Sequence, residues 1–388
     1  MWRTASLYCA VATATVEECL RDIHRGHVSV ALPRLNDLKA VSSTVQGIDY
    51  ARALCFLFDK EKSNLLAARQ SLLEELRLHP EHHKARTLLH EVNDTARVLL
   101  APPAVVRKQY PLFSLLFDAL FDSTMLTWPR LLNLYQATDR LARLDTQRGT
   151  SGDSGHVVEC GTAGGGSAVL MAVVLAEAEA ASDARASPLR RVFALDSFTG
   201  MPPPTAKDRL VSTSLSAVSP FQFKPPQSPD EATASWGTGT CRSPAAHVRQ
   251  LARNFGVDDR LEVIEGLFAD SIPTHLLSRS DIQQDGVALL HIDADWYAST
   301  RAALEPLIPL MRRRAVDKDV ANIHPTPHRM VQVDDYHYWQ GCRDAVNECV
   351  AGWGDAPPRI CDVDDNAVWF AVQRDGVNDT PPMYTHNP

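Results

Sequence analysis

Through the first hundred residues, apolar positions recur at helical steps: Leu54, Leu57 and Phe58, then Leu65, Leu66, Leu72, Leu73 and Leu76. That spacing collects them on one face of a helix, and no strand-like run interrupts it. Residues 1–100 are therefore expected to be helical. Ala68, Leu72 and Pro80 fall at the spacing of the second helix and closing proline of a tetratricopeptide repeat, and RTLLHEV opens a further helix. The first helix of that repeat lacks its usual Trp, Gly and Tyr, so a plain helical hairpin reads equally well. Ala101, Pro102 and Pro103 break the pattern, after which Leu112 to Phe121 and Pro129 to Leu144 predict two more amphipathic helices, a connection over 101–150 that packs on the domain beyond it.

Beyond the linker Thr146 to Gly155 the periodicity changes. Short β-branched runs (His156 to Glu159, Arg191 to Asp196, Leu261 to Glu265, Val287 to Asp293, Met330 to Asp334) alternate with helical stretches. Such alternation predicts an α/β domain, here 151–375, with a mostly parallel sheet and helices on both faces. The chain closes on a tail, 376–388. Two segments fit neither element: Thr205 to Ala246, crowded with Pro, Ser, Thr and Gly, and Arg312 to Arg329. The first is long enough to read as a lid or binding loop, the second as a surface excursion.

Length and composition narrow the function. The 388 residues suit two units at roughly 150 residues per domain. A formal charge of -8 argues against nucleic acid as a partner. The longest apolar run, Ala168 to Ala176, is half of what a membrane span requires. Glu17, Glu18, Arg21 and Asp22 come directly after the apolar stretch SLYCAVATATV, which makes it a poor secretory segment. The eight cysteines contain no C-x-x-C pair, so a reduced, cytoplasmic setting is expected.

Every candidate for chemistry lies at the carboxyl end of an expected strand, where open α/β sheets bind ligands. HVVECGTAGGGSA is a strand, a glycine turn (Gly161, Gly164, Gly165, Gly166) and a helix start near Ser167. Glycines admit a ligand close to the backbone, and the helix offers free N–H groups. Asp196 ends the next strand and can accept both hydroxyls of a ribose, so the pair describes a nucleoside pocket; a capping aspartate is the plainer reading. Glu159, just before the turn, suits a cationic ligand. HIDADWYAST supplies Asp293 and Asp295, and MVQVDDYHYWQGC supplies Asp334 and Asp335. Carboxylates converging there repel one another unless a cation sits between them, and all-oxygen ligands select a hard ion such as magnesium. His337, beside Asp335, is a candidate proton acceptor or a group that orients the acids.

These blocks, in this order, resemble the S-adenosylmethionine-dependent sugar O-methyltransferases of the macrocin O-methyltransferase type. VVECGTAGGGSA is similar to that family's strand-and-glycine motif, ALDSFTGMP to its ribose-binding strand end, HIDADWYAST to its D-x-D-x-Y segment and VDDYHYWQGCRDAV to its second acidic motif. The resemblance spans about Pro111 to Phe370 and implies a Rossmann-like class I methyltransferase fold behind an extra α-helical region. It implies cofactor contacts from Glu159, Gly161, Thr162, Asp196 and Ser197, with Gly266, Leu267 and Phe268 near the adenine. It further implies Mg2+ held by Asp293, Asp334 and Asp335. The family more often carries a bulky aromatic and an Arg where Thr162, Ala163 and Gly164 stand, and commonly a Trp at Leu267.

The expected activity is methyl transfer to a hydroxyl of a sugar-bearing or other diol-containing small molecule, with Asp293 or His337 as base. No membrane partner is expected; the N-terminal helices could serve a homo-oligomer or a protein partner. Two other readings compete: a nucleotide-sugar glycosyltransferase using Asp293-Ala294-Asp295 as its D-x-D, and a non-catalytic binding protein on a methyltransferase-like scaffold.

Overall fold

The computed structural model describes residues 2–59, 64–148, 155–181, 190–211, 237–314, 329–353 and 357–372. Most of the expected lid (212–236), most of the second excursion (315–328), most of the linker and the tail 376–388 lie outside them. The chain folds as two compact units: residues 1–103 with 198–204 and 216–247, and residues 104–197 with 205–215 and 248–388. No helix among the described residues is long and apolar enough to cross a membrane.

The first unit is helical: α1 (Trp2–His24), α2 (Val28–Ser42), α3 (Ile48–Phe58), α4 (Leu65–Leu78) and α5 (His83–Leu100), each packed on the next. α4 starts where Asn64 accepts a hydrogen bond from the Ala67 amide at 2.9 Å, satisfying one of the helix's orphan N–H groups. The helical spacing read from the sequence puts Leu54, Leu72 and Leu73 in the core, with Cys19, Leu35, Phe56 and Leu89. Charges are buried there too. Lys39 Nζ donates to both carboxylate oxygens of Asp49 and to Glu74, each at 2.7 Å, and Arg52 donates to Asp49 at 3.0 Å. Glu74 also accepts the Cys241 amide at 2.7 Å, and Gly239 and Met201 are joined by a backbone hydrogen bond.

The second unit begins with α6 (Ala104–Gln109), α7 (Pro111–Leu120) and α8 (Trp128–Arg148), α7 carrying its proline at the first position, where no N–H is missed. The sheet region then runs β1 (His156–Cys160), α9 (Gly166–Ala180), β2 (Val192–Asp196), α10 (Ala245–Asn254), β3 (Leu261–Glu265), α11 (Phe268–Ser271), α12 (Ser280–Asp285), β4 (Val287–Ile292), α13 (Tyr297–Arg314), β5 (Met330–Val333), α14 (Gln340–Ala351), β6 (Cys361–Asp362) and β7 (Val368–Ala371). The spatial order is β3-β2-β1-β4-β5-β7-β6. β1 to β5 are parallel, and β7 runs antiparallel between β5 and β6.

All five expected strands form. The closing hairpin β6–β7 is an addition to them, because two and four residues are too few to show a period of two. The chain steps outward from β1 to β2 and β3, then returns to β4 on β1's other side. That reversal opens a crevice at the carboxyl ends of β1 and β4.

Candidate active site

The crevice is floored by the turn after β1. Gly161 adopts φ +98°, and a Cβ there would stand 1.8 Å from the Asp293 carbonyl oxygen, so only glycine fits. The Asp293 amide in turn donates to the Cys160 carbonyl at 2.9 Å. Glycine turn and acidic segment are therefore in direct backbone contact. On the other side, the Gly161 amide donates to Leu195 O at 2.9 Å, and the Ala163 amide donates to Asp196 Oδ2 at 2.9 Å. Asp196 thus braces the turn from the end of β2. The Gly266 amide donates to Asp196 O at 2.9 Å, bringing the block Gly266, Leu267 and Phe268 alongside; Leu267 is 55% exposed. Thr162 is buried against Leu195, and Ser197 is half-buried.

Asp293, Asp295 and Asp335 each direct a carboxylate oxygen into one cluster, all within 4.8 Å of one another. This trio differs from the set Asp293, Asp334 and Asp335 that the resemblance implies. Asp295 reaches the cluster from a tight turn after β4: its φ is +56°, and the Trp296 amide turns back onto Ala294 O at 2.6 Å. Its Oδ1 accepts from Trp339 Nε1 at 3.0 Å, and Trp339 is buried edge-on against Trp296. Asp334 keeps β5's alternation and shares a face with Gln332. Its Oδ1 accepts from Gln332 Nε2 at 2.8 Å and lies 3.3 Å from His291 Nε2; its Oδ2 lies 3.9 Å from Arg130 of α8.

The electrostatics are those of crowded like charge. Burial, then Asp335, Asp334 and Asp295, push the Asp293 carboxyl well above its usual range. Burial and Asp335 do the same to Asp295 against the Trp339 hydrogen bond. Asp335 is pushed up to about 6 by burial and Asp334, with Arg130 pulling the other way. Asp335 Oδ2 is buried without a hydrogen-bond partner. Three converging carboxylates with an unsatisfied buried oxygen form a donor set that fits a hard divalent cation.

His337 stands apart from the trio. Its Nε2 lies 2.8 Å from Asp362, and its Nδ1 lies 3.0 Å from an Arg343 guanidinium nitrogen, so both ring nitrogens are engaged. Glu159 is fully buried, and its Oε1 lies 2.9 Å from His291 Nδ1. Burial works against charge on His291, but Asp334 and Glu159 outweigh it and raise its pKa well above the ordinary value.

Sequence reasoning missed two groups. The first is an alignment rather than a residue: Glu159, already a candidate, and His291, which flanks the acids in sequence, join Gln332 in a polar stripe of register partners across β1, β4 and β5. Its signal was a polar residue one place before the last position of each of three mainly apolar strands. The second is Asp208. Its Oδ1 accepts the Tyr297 amide at 2.7 Å, and its Oδ2 accepts from the Thr205 amide and hydroxyl at 2.7 and 2.8 Å. A Cβ on Gly341 would meet Asp208 at 2.3 Å. The neighbouring Leu210 pairs through its backbone with Trp339, so this arm is tied to the residue whose indole donates to Asp295.

A reversal beside the first strand, a glycine turn braced by an aspartate on the second, and an antiparallel final strand together describe a Rossmann-like α/β domain. Residues 118–372, about two thirds of the chain, match the family described as Macrocin-O-methyltransferase (TylF), and the chain belongs to that family. It is thus an O-methyltransferase, which leaves the nucleotide-sugar reading without support. The chain is 28% identical over 247 residues to the 8-demethyl-8-(2,3-dimethoxy-alpha-L-rhamnosyl)-tetracenomycin-C 4'-O-methyltransferase of Streptomyces olivaceus, across 63% of this chain and 77% of that one. Among solved structures it is similar to the O-methyltransferase NovP (24% identity, 64% of this chain and 81% of that chain, TM-score 0.43). It is also similar to the calicheamicin methyltransferase CalS11 (19%, 72% and 90%, TM-score 0.42).

Proposed function

We propose that this protein transfers a methyl group from S-adenosylmethionine to a hydroxyl of a sugar-bearing or other diol-containing small molecule, with a divalent cation, magnesium first, held by the acidic cluster. The observation that carries the reading is the direct contact between the glycine turn at Gly161 and the backbone of Asp293, the residue that opens the set of three converging carboxylates. The sugar-bearing acceptor is taken from the relative in Streptomyces olivaceus, whose name specifies methylation of a rhamnosyl group.

The methyl group of a sulfonium is already activated, so the protein must align the acceptor oxygen with it and make that oxygen electron-rich. Gly161 admits the cofactor close to β1, and the half-buried Asp196 and Ser197 end β2 where a ribose would lie. Leu267 and Phe268 offer apolar surface for the adenine. Asp293, Asp295 and Asp335 would hold the cation, which when bound supplies charge that lowers the pKa of an acceptor hydroxyl. Asp293 accepts the proton from that hydroxyl; His337, occupied by Asp362 and Arg343, is not given this role.

The test is incubation with labelled S-adenosylmethionine, magnesium and a panel of glycosides, phenols and catechols, with a chelator control. Label should pass to a diol-bearing glycoside only with magnesium. Transfer unaffected by chelation would remove the metal from the reading, and failure to bind the demethylated cofactor would remove the cofactor.

A further inference from the structure

Glu159, His291 and Gln332 form a polar stripe across three adjacent strands, β1, β4 and β5, whose middle positions are otherwise apolar and buried. All three are buried, as is Asp334. His291 stands at the centre, with Nδ1 2.9 Å from Glu159 Oε1 and Nε2 3.3 Å from Asp334 Oδ1. The far side is closed from α8: Asn133 donates to Gln332 at 2.8 Å, and Gln332 donates to Asp334 at 2.8 Å. Glu159 Oε2, His291 Nε2 and Asp334 Oδ2 lack hydrogen-bond partners, so the approach of His291 to Asp334 is a charge contact rather than a hydrogen bond. Glu159 immediately precedes Cys160 and the glycine turn, while Asp334 is followed by Asp335 of the acidic trio.

A rigid ring placed between two carboxylates cannot turn toward one without leaving the other, and no solvent reaches this layer to take its place. We infer that His291 is a positioning residue that couples the cofactor crevice to the acidic cluster, so that filling either one fixes the geometry of the other. The inference rests on the function proposed above. It makes cofactor and cation binding reciprocally cooperative, since a coupling free energy acts equally in both directions.

The experiment is calorimetric titration of the full chain with S-adenosylhomocysteine, with and without magnesium chloride, and with magnesium chloride, with and without S-adenosylhomocysteine. In the parent protein each ligand should tighten the other by about five-fold or more. His291→Gln should bring that factor close to one while each ligand still binds alone. Glu159→Gln should weaken magnesium, and Asp334→Asn should weaken S-adenosylhomocysteine, each by about the same factor; a purely local structural role would not produce such crossed losses. Independent binding in the parent, or full coupling retained in folded His291→Gln, overturns the inference while leaving the proposed function standing. So does the absence of crossed losses in folded Glu159→Gln and Asp334→Asn, whatever happens to the His291 variant. A parent that binds neither ligand overturns both.

Discussion

The helical unit surrounds Lys39 with Asp49 and Glu74, whereas the sheet unit presses Asp293, Asp295 and Asp335 against one another. In the first, opposite charges meet at 2.7 Å, and the Lys39 pKa rises because its carboxylate partners outweigh burial. In the second, like charges meet, and every pKa is driven up by burial and by the neighbours. A buried network whose partners are all present holds a structure together. A buried cluster whose charges do not cancel stores repulsion that a ligand of the opposite sign can relieve.

That contrast can be broken most sharply at Lys39. Lys39→Met leaves Asp49 and Glu74 facing each other without their shared cation, and should cost about 3–5 kcal/mol, read as a lower denaturation midpoint in urea. The acidic trio should behave in the opposite way. Asp335→Asn is expected to cut methyl transfer by about 100-fold or more, close to 2.7 kcal/mol, yet to leave the metal-free protein as stable as the parent or more so, because one repelling charge is gone. Comparing turnover with the melting temperature in chelator checks both halves.

A pH titration of the chelated protein sharpens the same point. Asp335 is raised from 3.8 to about 6 in the folded state, so the native protein binds the proton more tightly than the unfolded chain does. Its contribution is then fully present below pH 4 and is lost as pH rises through about 6. The loss should be on the order of 3 kcal/mol for this group, visible as a falling melting temperature that magnesium flattens and Asp335→Asn reduces.

Asp208→Ala removes acceptors from the Tyr297 and Thr205 amides and should cost about 1–3 kcal/mol, with a larger fractional effect on turnover than on cofactor binding, because the arm pairs with the backbone of Trp339, which donates to Asp295. The smallest effect is expected from Arg107→Ala, which breaks an exposed pair with Asp118 between α6 and α7. Its cost should be about 0.2–1 kcal/mol and should fade with salt.

Much of this was legible in the chain itself. Apolar spacing at three and four residues marks α3 and α4, and the five parallel strands announce themselves as β-branched runs that end beside a glycine or an aspartate. The closing hairpin was not legible, since Cys361–Asp362 and Val368–Ala371 are too brief to carry a pattern. Nor was the role of Asp208, which belongs to no strand or helix and whose partners Tyr297 and Gly341 are remote in sequence.

Local side-chain periodicity and glycine stereochemistry were enough to place the acids and the turn at the carboxyl ends of strands, since both depend only on near neighbours along the chain. Which carboxylates converge was decided by the folded backbone. The tight turn at Ala294 to Trp296 swings Asp295 into the cluster, and the continued pleat of β5 carries Asp334 toward Gln332 and His291 instead. Strand neighbours such as Glu159 and His291, 132 residues apart in sequence, meet only because β1 and β4 lie side by side in the sheet, a pairing that no local pattern encodes.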